Sequence, residues 1–85
     1  MQTIPDELVD PVGYRRWRWT QVNVEILMSC REKARATLAY LDRTAATQRA
    51  NGLNPPSKQA KIERKNRAPH LAIIAEIDAE LASRS

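Results

Sequence analysis

The segment 14–19 holds the residue types best suited to recognition chemistry. It reads Tyr-Arg-Arg-Trp-Arg-Trp and contains three of the four aromatic residues of the chain. Aromatic rings and guanidinium groups are enriched at protein-binding hot spots, and the same groups bind single-stranded nucleic acid by stacking and phosphate contact. The alternative is that the rings only anchor the core of a small domain. We predict a partner-binding segment made of Tyr14, Arg15, Arg16, Trp17, Arg18 and Trp19.

A second group of basic side chains follows further along the chain. At helical spacing Lys58, Lys61 and Lys65 fall on one face, and such a stripe can follow a phosphate backbone or face an acidic protein. The alternative is an ordinary solvated helix face. The predicted nucleic-acid or acidic-partner contact consists of Lys58, Lys61, Arg64, Lys65 and Arg67.

Catalytic and metal-binding patterns are missing from the sequence. Cys30 and His70 are the only cysteine and histidine, and their separation predicts neither a nucleophile–base pair nor a metal site. The only glycines are Gly13 and Gly52, so no glycine-rich phosphate loop is present. We therefore expect no enzyme activity, no cofactor and no metal.

The length and composition predict a small intracellular protein. Its 85 residues allow one domain with a modest core. The single cysteine gives no disulfide framework, the acidic start of the chain does not resemble a secretory signal, and no apolar run is long enough to span a membrane. We expect a cytoplasmic protein that does not act at a membrane. Abundant Arg and Ala are typical of GC-rich bacterial genomes and their mobile elements.

Turn signals divide the chain into two predicted helices. Asn51-Gly52 followed by Pro55-Pro56 ends one helix and prevents its continuation, and Ser57 is suited to cap the next. The predicted organisation is an acidic arm over 1–13, helix 1 over 14–51, a turn over 52–56 and helix 2 over 57–83. Two alternatives stay open at the first boundary. Asp10-Pro11 could begin the helix, and residues 15–24 could form a strand.

Apolar periodicity predicts an all-α fold, an antiparallel two-helix hairpin whose second helix is kinked or interrupted at Pro69. Pairing across the turn brings Arg31 close to Asp78 or Glu80 and predicts a partly buried ion pair. Glu76, Asp78 and Glu80 can likewise neutralise Arg31, Lys33 or the arginines of segment 14–19. Segment 14–19 extends beyond helix 2, so self-association, as in a homodimer, or a partner is expected to complete a bundle.

These patterns favour a non-enzymatic protein-interaction module. We interpret the chain as a phage- or plasmid-type regulator or inhibitor that occludes a site on a larger protein. The alternative is a nucleic-acid-binding helical dimer that uses both basic clusters.

Overall fold

The chain folds into three helices. In the computed structural model, which describes residues 3–85, α1 spans Pro11–Thr20, α2 spans Val24–Asn51 and α3 spans Pro56–Arg84. No strand occurs within the described residues. The predicted all-α class is therefore confirmed, and the strand considered for residues 15–24 is wrong.

The predicted continuous helix over 14–51 is also wrong, because residues 21–23 separate α1 from α2. The side chain of Asn23 accepts a hydrogen bond from the backbone N–H of Ile26 at 2.9 Å and caps α2. At the end of α1, the Thr20 hydroxyl donates to the Trp17 carbonyl at 2.6 Å. These two hydrogen bonds pair backbone groups at the end of α1 and the start of α2, where the hydrogen bonds of a continuous helix are absent.

The first helix begins inside the segment that was predicted as an arm over 1–13. Asp10 is the N-cap of α1, its carboxylate accepts the backbone N–H of Gly13 at 2.9 Å, and Pro11 occupies the first helical position. A Cβ atom at residue 13 would overlap the Asp10 carboxylate, so glycine suits this cap. Of the predicted arm, residues 1 and 2 lie outside the described range.

The helices α2 and α3 run antiparallel and are joined by ion pairs along their length. Arg31 bonds Asp78 at 2.8 Å, as the sequence predicted. The other two pairs lie progressively closer to the turn, Arg67–Asp42 at 3.0 Å and Arg49–Glu63 at 2.7 Å. This register places the start of α2 beside the end of α3.

The core between the helices is thin. Leu27 and Ile77 are fully buried and Ala34 is nearly so. Val24 of α2 and Leu71 of α3, whose apolar spacing contributed to the predicted helix pairing, are more than two-fifths exposed. The molecule extends 54 × 28 × 16 Å, about one helix pair thick. It has little interior volume in which larger side chains can be covered.

The turn between α2 and α3 is ordered by a buried polar side chain. Gly52 caps α2 with a φ of 61°, a conformation that glycine adopts without strain. Gln59, only 3% exposed, donates to Gln48 at 2.9 Å and to Glu63 at 2.9 Å and accepts from Asn54 at 3.0 Å. These bonds tie the turn to both helices.

Pro69 lies within α3, which continues through it from Pro56 to Arg84. Of the two predicted alternatives at Pro69, the interruption is therefore wrong, and the kink stays a prediction. A proline removes the bond to the carbonyl four residues earlier, which is that of Lys65. Both Pro69 and Lys65 are exposed, so water can solvate the carbonyl that lacks its helical partner.

Candidate interaction surface

The helix α1 is attached to α3 through the carboxylate of Glu76. Arg15 binds it in a bidentate manner, with Nε 2.8 Å from Oε1 and Nη2 2.6 Å from Oε2. The indole N–H of Trp19 donates to Oε1 at 3.1 Å. We call these three residues the Glu76 cluster. Because the Glu76 side chain is only 6% exposed, its charge needs these three bonds.

The Glu76 cluster shifts the pKa values of its two charged members, Glu76 and Arg15. The hydrogen bond from Arg15 lowers the pKa of Glu76 below its ordinary value, and the Trp19 bond and nearby cationic charge act in the same direction, against the opposing effect of burial. The bond to Glu76 likewise raises the pKa of Arg15. Both groups are ionised at neutral pH, so the contact is a charged one.

A second attachment holds the end of α1. One guanidinium nitrogen of Arg84, Nη2, donates to the carbonyls of Trp19 at 2.8 Å and Val22 at 2.7 Å. Its Nε donates to Glu80 at 2.9 Å. A cation at a helix C-terminus complements the exposed carbonyls and the helix dipole there, so Arg84 stabilises the break between α1 and α2.

The remaining residues of segment 14–19 form what we call the outer ridge, composed of Tyr14, Arg16, Trp17 and Arg18. The rings of Tyr14 and Trp17 are half-buried, with centroids 5.7 Å apart and planes tilted by 38°. Arg16 and Arg18 are exposed, and neither has a carboxylate partner among residues 3–85. Segment 14–19 is thus divided between an inner contact and an outward surface.

The second basic cluster lies on the other half of α3. Arg67 is paired with Asp42, so it is the one member with an acidic partner. The four others are exposed and form no ion pair within the described part of the chain; they are Lys58, Lys61, Arg64 and Lys65. The second basic cluster and segment 14–19 therefore form two separate surfaces, because α1 lies beside residues 72–83 of α3 and the cluster lies at 58–67.

An open groove of about 470 Å³ separates α1 from the outer face of α3. Its floor is Ala72, Ala75 and Ala79, and Arg16 and Trp19 form the wall on the α1 side. The acidic groups at its edge are already neutralised, Glu76 by Arg15 and Glu80 by Arg84. The groove therefore has a floor of small apolar side chains and one unpaired cation, Arg16, and Thr20 and Ser83 add hydroxyl groups to its lining.

Sequence reasoning anticipated part of this arrangement. The expectation that acids at 76–80 neutralise arginines of segment 14–19 is confirmed for Arg15, which pairs with Glu76, and not for Arg16 or Arg18. The roles of Arg84 and Gln59 were missed. Arg84 bonds carbonyls 62 and 65 residues away in sequence, and Gln59 bonds three polar side chains around the turn. Neither arrangement leaves a periodic signal in the sequence, although a polar residue such as Asn23 before Val24-Glu25-Ile26 is a recognisable helix cap.

No group of three acidic, cysteine or histidine side chains is arranged to hold a metal ion within residues 3–85, and no described helix is long and apolar enough to cross a membrane. Cys30 is a half-buried free thiol, and His70 is also half-buried. The chain matches no protein family, and no curated protein or solved structure is significantly similar to it.

Proposed function

We propose that this chain is a non-enzymatic protein-interaction module that binds a larger protein through the outer ridge of α1. The observation that carries the proposal is the attachment of α1 by the Glu76 cluster, which engages Arg15 and Trp19 and leaves Tyr14, Trp17 and two unpaired arginines outside that contact. A ridge held in place before binding loses little conformational entropy on association.

The residue types of the ridge support a protein partner. Tyr, Trp and Arg are over-represented among residues that dominate binding energy. The two exposed arginines would favour a partner surface with negative potential and speed its approach. In this proposal the module acts as a regulator or inhibitor of the phage or plasmid type, in the cytoplasm, by covering a site on its partner.

The completion of a bundle belongs to the same proposal. Among residues 3–85 only two large side chains are fully buried, and Ile26, Met28 and Tyr40 of α2 are each more than two-fifths exposed. Association with a partner or a second copy would remove such apolar surface from water, which is favourable in proportion to the area covered.

The proposal can be tested by capturing partners from an extract of the source cells. The immobilised native chain is compared with Trp17→Ala and Arg18→Glu, and Leu53→Ala serves as an exposed apolar control at the turn between α2 and α3. We expect a protein retained by the native and control chains and reduced at least about tenfold with both ridge variants. Equal retention by all four chains, with circular dichroism showing each one folded, would contradict the proposal.

A second candidate function, nucleic-acid binding, is supported by the four exposed cations at 58–65 that have no acidic partner within the described residues. Titration with duplex DNA, single-stranded DNA and RNA, followed by tryptophan emission and a bound-fraction assay, should then show affinity that falls steeply with salt. Replacing both Lys61 and Lys65 with Gln should reduce the salt slope by about 2. The same change at Lys33 and Arg43 is the control, and no saturable binding at low salt would exclude this function.

A further inference from the structure

A short turn before α1 combines exposed apolar side chains with unpaired acids. Asp6 orders this turn by accepting the backbone N–H of Leu8 on its carboxylate at 2.8 Å and that of Asp10 on its carbonyl at 2.7 Å. Leu8 and Val9 are 94% and 82% exposed, the most exposed of the large apolar side chains described. We call residues 6–10 the acidic turn. A fixed apolar projection of this kind is typical of an interaction site.

The charges of the acidic turn have no counterpart within its own molecule. Asp6, Glu7 and Asp10 form no ion pair with any described residue. Among the other described carboxylates, Glu25 alone forms no ion pair. Eight of the fourteen basic side chains also form no ion pair with a described residue. Apart from Glu25 on α2, the unpaired charges are thus separated by sign, negative before α1 and positive on the helices.

The outer face of α3 is complementary to the acidic turn. Lys61, Lys65, Ala72 and Ala79 recur within about 40° of one another around the helix axis. The alanines form the apolar floor of the groove, and Lys65 lies about 10 Å before Ala72 along α3. Arg16 adds a cation on the α1 side. The groove therefore has one unpaired cation, Arg16, in its lining, and Lys65 lies beyond its alanine floor on the same face of α3.

From this complementarity we propose that two copies of the chain associate by exchanging their acidic turns. Leu8 and Val9 of each copy occupy the groove between α1 and α3 of the other, and the acids of the turn lie near Arg16 and Lys65. The groove and the acidic turn are separate from the outer ridge, except that Arg16 belongs to both the groove and the ridge. Self-association and partner binding through the ridge are therefore separable properties.

The position of the turn favours exchange between two copies. The groove is lined on the α1 side by Arg16, Trp19 and Thr20. Thr3 and Pro5 lie on the neighbouring flank of the same helix, beside Trp17, and share Arg16 and Thr20 with the groove. None of the acidic-turn residues lines the groove of its own molecule. Because the turn and the groove lie on neighbouring flanks of one helix, a two-fold axis near α1 can satisfy both contacts together, and such dimers are the commonest closed assemblies.

The test measures mass by sedimentation over a range of protein concentrations and at two salt concentrations. The native chain should reach twice 9.7 kDa, with weaker association at high salt because screening reduces the charge attraction. Leu8→Ser removes the apolar projection, and Ala72→Gln places a long polar side chain in the groove. Each should weaken association at least about tenfold, whereas Leu53→Ser and Ala36→Gln, at other exposed positions, should not.

Mixing the two disruptive variants gives the decisive comparison. A pair formed from Leu8→Ser and Ala72→Gln has one intact contact, a native turn in a native groove, while each variant alone has none. The mixture should therefore associate more strongly than either variant by itself. The proposal is overturned if the native chain stays at 9.7 kDa up to roughly 1 mM, if the variants associate like the native chain, or if mixing restores nothing.

Discussion

At the scale of single residues, the most informative side chain is a buried glutamine near the turn. Gln59 bonds to Gln48, Asn54 and Glu63, and so satisfies its own amide while holding three other polar groups. Buried amides are tolerated only when their donors and acceptors are paired. A polar side chain is suited to position 59 because the buried groups around the turn between α2 and α3 are joined by hydrogen bonds.

We predict that Gln59→Leu lowers the free energy of unfolding by about 1–3 kcal/mol. The leucine keeps the size of the side chain but leaves three bonds unmade at a position only 3% exposed. Urea denaturation followed by circular dichroism measures the loss. Gln21→Leu, at an exposed position, is the control, and equal stabilities of the two variants would show that the network contributes little.

The ion pairs between α2 and α3 should differ in strength according to burial. The Arg31 side chain is only 20% exposed, whereas Arg67 is 41% exposed. Removing the carboxylate beside the more buried guanidinium leaves a poorly solvated charge. We expect Asp78→Ala to cost about 1–3 kcal/mol and Asp42→Ala about 1 kcal/mol or less, from denaturation midpoints. The reverse order would contradict this account.

At the scale of elements, α1 is held by a few charged hydrogen bonds and contributes none of the fully buried side chains. Its attachment to α3 through Glu76, and the further bonds from Arg84, place a ten-residue helix that is too short to be stable alone. The position of α1 should therefore respond to any condition that neutralises Glu76.

Acidification is predicted to release α1. The pKa of Glu76 is lowered in the folded chain from its ordinary value of 4.5, so the ionised form stabilises the contact. This stabilisation is complete above that value and is lost as the pH falls through the lowered pKa. Tryptophan emission, which reports only on α1, should show an acid transition that Glu76→Gln abolishes. Glu63→Gln should retain it, since Glu63 lies near the turn.

The elements show how far sequence reasoning reaches in this protein. Periodicity and turn residues predicted the helical class, the turn after Asn51 and the Arg31–Asp78 register, because each arises from local spacing or from simple pairing across a turn. The break at residues 21–23 was missed, because β-branched and helix-forming residues there gave conflicting signals that the Asn23 cap and Arg84 resolve. The attachment of α1 depends on bonds more than 55 residues apart in sequence.

At the scale of the whole molecule, stability depends on very few buried contacts. Leu27 and Ile77 are the two large side chains with no exposed surface in the described chain. A chain of this length is expected to have a total stability on the order of 5–10 kcal/mol. Each of these residues therefore supports a large fraction of that free energy.

Leu27→Ala and Ile77→Ala should each lower the free energy of unfolding by about 2–5 kcal/mol. The loss reflects both the removed apolar contact and the cavity that a thin molecule cannot fill from deeper layers. Thermal or urea denaturation measures it, and Leu53→Ala, at a 68% exposed position, should change stability by less than about 0.5 kcal/mol. Similar values for all three would show that the core lies elsewhere.

The bonds from Arg84 to the Trp19 and Val22 carbonyls have a consequence for biosynthesis. A ribosome that has just added Trp19 must add another 65 residues before Arg84 exists, which takes on the order of several seconds at cellular elongation rates. Once the segment has left the ribosome, and until Arg84 is added and can reach it, both tryptophans are exposed without the side chain that later fixes the end of α1. A protein that recognises this segment can therefore meet it during translation, before the finished fold restricts its orientation.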